Sequence, residues 1–248
     1  MSEDRVEVER RQIEQEIKGR TLCDLLAEHA AGHGDAPAMS WKRDGAWQTL
    51  SWREYRERVA EVAMGLAGLG VGKGDFVAIM ATNRPEHVLA DQGAVHAGAT
   101  PTSFYFTLPP EQIRYVAGHC QAKVAVLEDR DMLKRWQEVR DDLPELRHLV
   151  VLEGAREGDG PGVLGWDDLV GRGRAALAGD RAGFEELRRR GGPEDNATLL
   201  YTSGTTGPPK GVLLTHRNLL YEVTALDRLT GLPQGGSSVS YLPLAHIA

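Results

Sequence analysis

The chain has 248 residues, of which 41% are hydrophobic and 26% are charged, a composition typical of a globular domain with a full core. Its formal net charge of −7 at pH 7 excludes a nucleic-acid-binding protein that relies on a basic surface, so we expect no nucleic-acid partner. No stretch has the roughly 18 apolar residues of a membrane-spanning helix, and two distant cysteines, Cys23 and Cys120, indicate buried thiols in a cytoplasmic protein.

The first fifty residues predict two helices and a hairpin. Residues 1–19 are a charged N-terminal extension, which predicts a short and mostly solvated helix. A second helix is predicted over 22–31. Two apolar stretches, 38–41 and 47–50, flank the pair Asp44–Gly45, a combination typical of a β-hairpin.

From residue 51 onward, predicted strands and helices alternate. Ser51 and Glu54 have the spacing of a capping box, and the apolar residues that follow recur at helical spacing up to Gly70. The continuous apolar run 76–81 predicts a strand buried on both faces. The next predicted elements are a helix over 83–96, a strand over 99–104, a helix over 110–119, a strand over 123–127, a helix over 131–141 and a strand over 149–152. This alternation predicts an α/β fold with mostly parallel sheets covered by helices.

Residues 153–195 interrupt the alternation, because they contain eleven glycines. We interpret them as a glycine-rich surface excursion within the domain, although such a stretch can also link two domains. The last predicted elements are strands over 197–201 and 211–214, a helix that starts near Thr215, and a strand over 239–242. The expected organisation is the extension 1–19 followed by one large domain over 20–248.

Between the strands at 197–201 and 211–214 lies the sequence YTSGTTGPPKG, residues 201–211. Gly204 and Gly207 permit the positive φ angles with which backbone N–H groups can surround a phosphate. Hydrogen-bond donors and a cation for the phosphate oxygens come from Thr202, Ser203, Thr205, Thr206 and Lys210. A simple turn needs only two to five residues, so we interpret this stretch as a phosphate-binding loop.

The loop does not fit the two common nucleotide motifs. A Walker A loop requires Gly–Lys followed by Ser or Thr and then a helix, whereas here Lys210 precedes Gly211 and a strand is predicted next. The GxGxxG pattern of dinucleotide-binding proteins is also absent. These differences exclude a conventional P-loop NTPase.

YTSGTTGPPKG resembles the phosphate-loop signature of the adenylate-forming (AMP-binding) superfamily: acyl-CoA synthetases, luciferases and the adenylation domains of peptide synthetases. The flanking segments PEDNATLL and THRNL are similar to that family, as are the upstream blocks GVGKGDFVAIMATNRPE and HAGATPTS. SYLPLAHIA, residues 240–248, resembles the next core motif as found in bacterial long-chain fatty acyl-CoA synthetases. The resemblance extends from about residue 20 to residue 248.

The resemblance implies a ligase that joins a fatty acid to CoA in two steps, through an acyl-adenylate made from ATP. The residues that would bind the ATP phosphates are Thr202, Ser203, Gly204, Thr205, Thr206, Gly207 and Lys210. Mg²⁺ would meet Thr205 or Thr206, and the choice between them stays open. His246 would lie beside the acyl and adenylate pocket, with a core histidine as the alternative.

Several elements of the family are not found in these 248 residues: the adenine-binding segment, the ribose-binding aspartate, the hinge, and the C-terminal domain with its adenylation lysine. The resemblance therefore implies an N-terminal portion of such an enzyme, with no certain catalytic residue. We expect this polypeptide alone to be inactive, to bind ATP weakly and to associate through exposed apolar surface. The alternatives are another adenylate-forming enzyme, either a peptide-synthetase adenylation domain or an aryl-CoA ligase, and a non-catalytic fragment. Acyl chain length, a homodimer and contact with a membrane surface are left open.

Overall fold

A computed structural model describes residues 3–202, 207–231, 233 and 235–245. Its helices are α1 (Glu3–Glu16), α2 (Leu22–Gly32), α3 (Trp52–Gly68), α4 (Pro85–His96), α5 (Pro110–Cys120), α6 (Arg130–Gln137), α7 (Trp166–Gly179), α8 (Arg181–Leu187) and α9 (His216–Thr230). Its strands are β1 (Pro37–Arg43), β2 (Ala46–Ser51), β3 (Phe76–Met80), β4 (Thr100–Ser103), β5 (Ala122–Leu127), β6 (His148–Val151), β7 (Val163–Gly165), β8 (Asn196–Thr202) and β9 (Lys210–Thr215).

The centre of the molecule is a parallel sheet of five strands in the order β4-β3-β5-β6-β7. Along β3, Val77 and Ile79 belong to the hydrophobic cluster on one face, while Ala78 and Met80 belong to the cluster on the other. All four are fully buried, which explains why the strand is a continuous apolar run. The predicted α/β class is confirmed.

Helices cover both faces of this sheet. The cluster that contains Val77 and Ile79 is completed by α3, α4 and α7, and the opposite cluster by α5 and α6. The predicted capping box begins α3: the Ser51 hydroxyl accepts from the Glu54 N–H at 3.3 Å, and the Ser51 N–H donates to Glu54 Oε2 at 2.8 Å. The cap fixes where this helix starts and therefore which of its faces meets the sheet.

Residues 153–195 differ from the predicted surface excursion. They supply β7, which pairs in parallel with β6 at the edge of the sheet, and α7, which packs along α3. Glycines here allow close helix packing: a Cβ at Gly173 would overlap the carbonyl oxygen of Glu61, and one at Gly65 would lie 2.5 Å from the carbonyl oxygen of Leu169. The glycine content suggested an irregular segment. In the structure, Gly173 of this segment instead allows α7 to approach α3 closely.

The strand predicted over 239–242 is absent: in the described range 235–245 no residue belongs to a sheet. Val239 and Tyr241 are 82% and 79% exposed. A strand requires a neighbouring strand to which its backbone can hydrogen-bond. The backbone of this segment hydrogen-bonds instead to the side chain of Asn83, at the edge of the parallel sheet.

Three smaller expectations concern the surface and the cysteines. The helix α1 is mostly solvated, as predicted, but Ile13 and Ile17 are buried against Leu220 of α9. Cys23 and Cys120 are buried free thiols, which confirms their prediction. Of the helices in the described residues, none combines the length and apolar character needed to cross a bilayer.

The contact between α3 and α7 yields a stability prediction with a matched control on the same helix. Gly173→Ala should lower the free energy of unfolding by about 1 to 3 kcal/mol, because the new methyl group forces the two helices apart. Gly171→Ala, where a Cβ would meet no atom within 4 Å, should raise it by about 0.5 to 1 kcal/mol through helix propensity. Urea unfolding of both variants measures the difference, and equal effects would contradict the packing described.

Candidate functional site

Strands β8 and β9 pair antiparallel, and residues 203–209 connect them in sequence. Thr202 pairs with Lys210 and Tyr201 with Gly211 across the two strands, and the Thr202 hydroxyl donates to the Lys210 carbonyl oxygen at 3.4 Å. The pairing therefore brings together the first and last predicted phosphate-binding residues. Gly207 has the positive φ that the loop interpretation requires, +104°.

Part of the predicted site cannot be located in this structure. Ser203, Gly204, Thr205 and Thr206 lie outside the described residues, as does His246. Their roles stay predictions, including that of Thr205 or Thr206 at a magnesium ion. Within the described part of the chain, no group of three or more His, Cys, Asp or Glu residues is arranged to hold a metal.

Lys210 has no carboxylate partner among the described residues, unlike Lys73, Arg84 and Lys123, each of which pairs with at least one carboxylate. Arg84, by contrast, is surrounded by three carboxylates: Glu86 at 2.8 Å, Glu153 at 2.8 Å and Glu128 at 3.6 Å. Its side chain is only 13% exposed, whereas Lys210 is exposed. A phosphate would have to compete with these carboxylates at Arg84 but not at Lys210, so Lys210 is the better anion ligand.

Helix α5 contacts β8 and the residue that precedes β9. The Tyr115 hydroxyl donates to the carbonyl oxygen of Pro209 at 3.1 Å, and His119 Nδ1 lies 2.7 Å from the Tyr201 hydroxyl. The Tyr115 and His119 rings are stacked with centroids 5.9 Å apart, and the Tyr201 ring meets His119 edge-on at 5.7 Å. Helix α5 thus contacts Tyr201, near the end of β8, and Pro209, directly before β9.

The protonation of Tyr201 is clear from its surroundings. Burial raises the pKa of its phenol, and the nearby Cys120 thiol raises it further, so the hydroxyl keeps its proton at neutral pH. The hydroxyl also lies 3.4 Å from the Val116 carbonyl oxygen, to which it can donate that proton. In that arrangement His119 donates from Nδ1 to the Tyr201 oxygen.

Gly211 explains how the Tyr201 and Leu199 side chains can pass close to β9. A Cβ at Gly211 would lie 3.0 Å from Leu199 Cδ1 and 3.6 Å from Tyr201 Cε1. Leu199 is itself part of the hydrophobic core against α5 and α6. Gly211 therefore allows the Leu199 and Tyr201 side chains to pack against β9, directly after Lys210.

The SYLPL part of the second motif is anchored at the carboxyl edge of the parallel sheet. Asn83 follows β3, and its Nδ2 donates to the carbonyl oxygens of Leu242 at 2.6 Å and Ser240 at 3.4 Å. Its Oδ1 accepts from the Leu244 N–H at 3.0 Å. One amide side chain therefore satisfies three backbone groups of a segment that has no strand partner.

A neighbouring histidine holds the same edge of the sheet together. His87 is buried, with Nδ1 3.1 Å from the Ala81 carbonyl oxygen and Nε2 2.9 Å from the Ser103 hydroxyl. Burial lowers its pKa, so the ring is neutral, donates from Nδ1 and accepts at Nε2. His87 joins the ends of β3 and β4 and plays a structural part.

Sequence reasoning missed Tyr115, His119 and Asn83 as parts of this site. Tyr115 and His119 are spaced i, i+4 on a helix, which places them on one face, and Asn83 directly follows a buried strand at the edge where α/β proteins bind ligands. These signals could have selected the three residues. They could not have identified the backbone groups that the residues contact.

The chain is an α/β protein in which a glycine- and hydroxyl-rich sequence connects two antiparallel strands. Lys210, an exposed lysine with no carboxylate partner among the described residues, follows that sequence. Residues 26–248 match the family of AMP-binding enzymes, and the chain belongs to that family. It is 31% identical to the long-chain-fatty-acid–CoA ligase ACSBG2 of Xenopus laevis over 232 residues, 92% of this chain and 31% of that protein. The chain thus spans about a third of the length of the curated relatives it matches.

Solved structures agree with the fold. The anthranilate CoA ligase AuaEII, solved in complex with anthranoyl-AMP, superposes with a TM-score of 0.68 and 25% identity, over 86% of this chain and 37% of that chain. A putative long-chain-fatty-acid CoA ligase from Rhodopseudomonas palustris gives a TM-score of 0.72 at 24% identity, over 93% of this chain and 53% of that chain. The resemblance to adenylate-forming enzymes, and to long-chain fatty acid ligases among them, is confirmed.

The anchoring of the second motif can be tested by hydrogen exchange. Asn83→Ala should speed amide exchange of Leu244 about 5- to 10-fold, because its N–H loses the Asn83 Oδ1 acceptor. Asn83→Asp keeps an acceptor for the Leu244 N–H but loses both donors, so we expect an intermediate rate. Gln48→Ala, at an exposed amide in β2, should leave exchange of the segment unchanged, and equal rates in all variants would contradict the anchor.

Proposed function

We propose that the protein carrying this chain is an acyl-CoA synthetase that activates a fatty acid with ATP and transfers it to CoA. The observation that carries the proposal is the hairpin: it places Lys210, without a carboxylate partner among the described residues, beside Thr202 at the ends of the loop. Membership of the AMP-binding family and the long-chain ligase relatives support the choice of reaction.

In the first step, a carboxylate oxygen of the fatty acid attacks the α-phosphorus of ATP. The bond from that phosphorus to the bridging oxygen breaks, and pyrophosphate leaves with the electron pair. Negative charge grows on the departing β- and γ-phosphates, where fixed N–H and O–H donors and the Lys210 ammonium stabilise it. In this proposal Thr202, Gly207 and Lys210, with residues 203–206, hold those phosphates, and Mg²⁺ bound with ATP neutralises part of their charge.

In the second step, the sulfur of CoA attacks the acyl carbon of the adenylate. The bond from that carbon to the AMP oxygen breaks, AMP leaves, and the thiol proton is released. The residues of this chain that bear on the acyl group are those of the second motif, which Asn83 fixes at the sheet edge. His246, two residues beyond the anchored Leu244, is proposed to lie beside the adenylate and the acyl chain.

A second candidate is an aryl-CoA ligase, because AuaEII, an anthranilate CoA ligase, has a similar structure at 25% identity. Both candidates use the loop identically and differ in the acid. ATP–pyrophosphate exchange by the protein expressed from its complete coding sequence separates them: palmitate supports exchange in the first, benzoate or anthranilate in the second. Exchange with amino acids alone would contradict both. The cytoplasmic location belongs to the proposal, and peripheral membrane contact and a homodimer are left open.

The role of Lys210 predicts a specific loss. Lys210→Ala should lower the rate of ATP–pyrophosphate exchange about 10- to 100-fold, because one positive charge no longer stabilises the departing pyrophosphate. Lys42→Ala, at an exposed lysine in β1, removes the same charge far from the loop and should leave the rate unchanged. If both variants exchange at the wild-type rate, the loop does not hold the phosphates.

A further inference from the structure

Helix α1 lies outside the residues that match the AMP-binding family, which begin at residue 26. Ile13 of α1, and Ile17 directly after this helix, are buried against Leu220 of α9. Their cluster is separate from the two clusters that cover the faces of the parallel sheet. The N-terminal extension therefore has an apolar contact of its own, with a helix that lies far along the chain.

Helix α9 depends on this contact for its apolar cover in the described part of the chain. Its buried side chains there are His216 and Leu220, and Leu220 belongs to no other hydrophobic cluster of the described residues. Tyr221 and Ala225, which are partly buried, pack against the same cluster. A surface helix is usually held by an apolar stripe that packs on the core. In α9 that stripe meets α1 and the start of α2 instead.

Ion pairs join the same two helices on both sides of the cluster. Arg217 lies 3.2 Å from Glu14, and Arg228 lies 2.6 Å from Glu16, measured between guanidinium nitrogen and carboxylate oxygen. Arg228 also donates to the amide oxygen of Gln12 at 3.3 Å. These side chains are partly exposed, so each pair adds little to stability. Because the two arginines lie near opposite ends of α9, the pairs fix how α1 lies across it.

The start of α9 is held by the residue that begins α2. The Leu22 N–H donates to His216 Nδ1 at 3.3 Å. Burial lowers the pKa of His216, so the ring is neutral and Nδ1 can accept. His216 follows Thr215, which ends β9 and caps α9 by accepting from the Asn218 N–H at 3.2 Å. The N-terminal residues thus contact α9 at its start, in its middle and near its end.

We propose that α1, together with Ile17, is an N-terminal strap that holds α9 in place, and that the strap and α9 open and close as one unit, separately from the parallel sheet. Cooperative units of local opening consist of elements that pack on one another, and the cluster of Ile13, Ile17 and Leu220 includes no residue of that sheet. Because α9 continues directly from β9, opening of the strap also frees the end of this strand. The inference goes beyond acyl-CoA formation and does not depend on it.

Native-state amide exchange of the protein expressed from its complete coding sequence tests the strap. In the wild type, the amides of α1 and α9 should share one free energy of opening, lower than that of β3 and β5. Ile13→Ala should quicken exchange in both helices by the same factor, about 10- to 100-fold, because the cluster loses most of a buried side chain. Ile13→Val, which removes one methylene, should quicken both about 2- to 10-fold. Val8→Ala, at a half-exposed valine of the same helix, should leave exchange in α9 unchanged.

A charge reversal tests the orientation of the two helices. Glu16→Arg places two positive charges next to each other and should quicken exchange in α9 about 2- to 5-fold. The added substitution Arg228→Glu restores an opposite pair and should bring the rate back toward that of the wild type. A loss that Arg228→Glu does not reverse would contradict the contact between Glu16 and Arg228.

Two results would overturn the inference. If Ile13→Ala quickens exchange in α1 while α9 keeps its wild-type rate, α1 rests on α9 without holding it. If both helices of the wild type exchange only together with β3 and β5, they do not open as a separate unit. Neither result involves pyrophosphate exchange, so the strap and the proposed function can fail independently of each other.

Discussion

The antiparallel pairing of β8 with β9 is the constraint on which the candidate site depends. Because Thr202 lies opposite Lys210, the pairing brings the two residues that flank 203–209 together, and Lys210 is the first residue of β9. A Walker-type site instead turns from a strand into a helix and uses the helix N-terminus to bind phosphate. Here α9 begins only after six residues of strand, so the proposed phosphate site would use residues 202–210 and the Lys210 ammonium instead of a helix N-terminus.

The parallel sheet and helix α5 support that hairpin. Helix α5 packs on the parallel sheet through its buried face and reaches the hairpin through Tyr115 and His119. At the carboxyl edge of the same sheet, Asn83 holds the backbone of the second motif. The sheet thus provides a common frame for the two segments that carry the family resemblance, and charged groups along its edge are largely compensated within the protein.

Much of this arrangement was predictable from local patterns. The buried run at 76–81, the capping box at Ser51 and the alternation of strands with helices determine the α/β class, because each is a short-range signal that long-range packing reinforces. The hydroxyls, glycines and lysine of residues 202–210 predict a phosphate site in the same way, and that site stays a prediction. Chemistry that depends on residue type within one segment can be inferred from that segment alone.

What could not be predicted depends on contacts between distant segments. The glycines of 153–195 resembled those of an irregular stretch until Gly173 was seen against the backbone of α3. The segment at 239–242 has the apolar pattern of a strand, but its backbone groups bond to the side chain of Asn83, more than 150 residues earlier. His119 has no motif around it, and its relation to the loop exists only through Tyr201 in the folded chain.

The most direct test of the account is an NMR titration of the 248-residue chain with MgATP and with magnesium pyrophosphate. A phosphate-binding loop at residues 202–210 predicts that the backbone amides of Thr202, Gly207, Lys210 and Gly211 shift with both ligands and saturate together. It also predicts that the amides near Arg84 do not respond, because the charge of Arg84 is compensated by carboxylates. Shifts confined to the edge near Arg84, or a hairpin that does not respond at millimolar nucleotide, would contradict a phosphate-binding loop at residues 202–210.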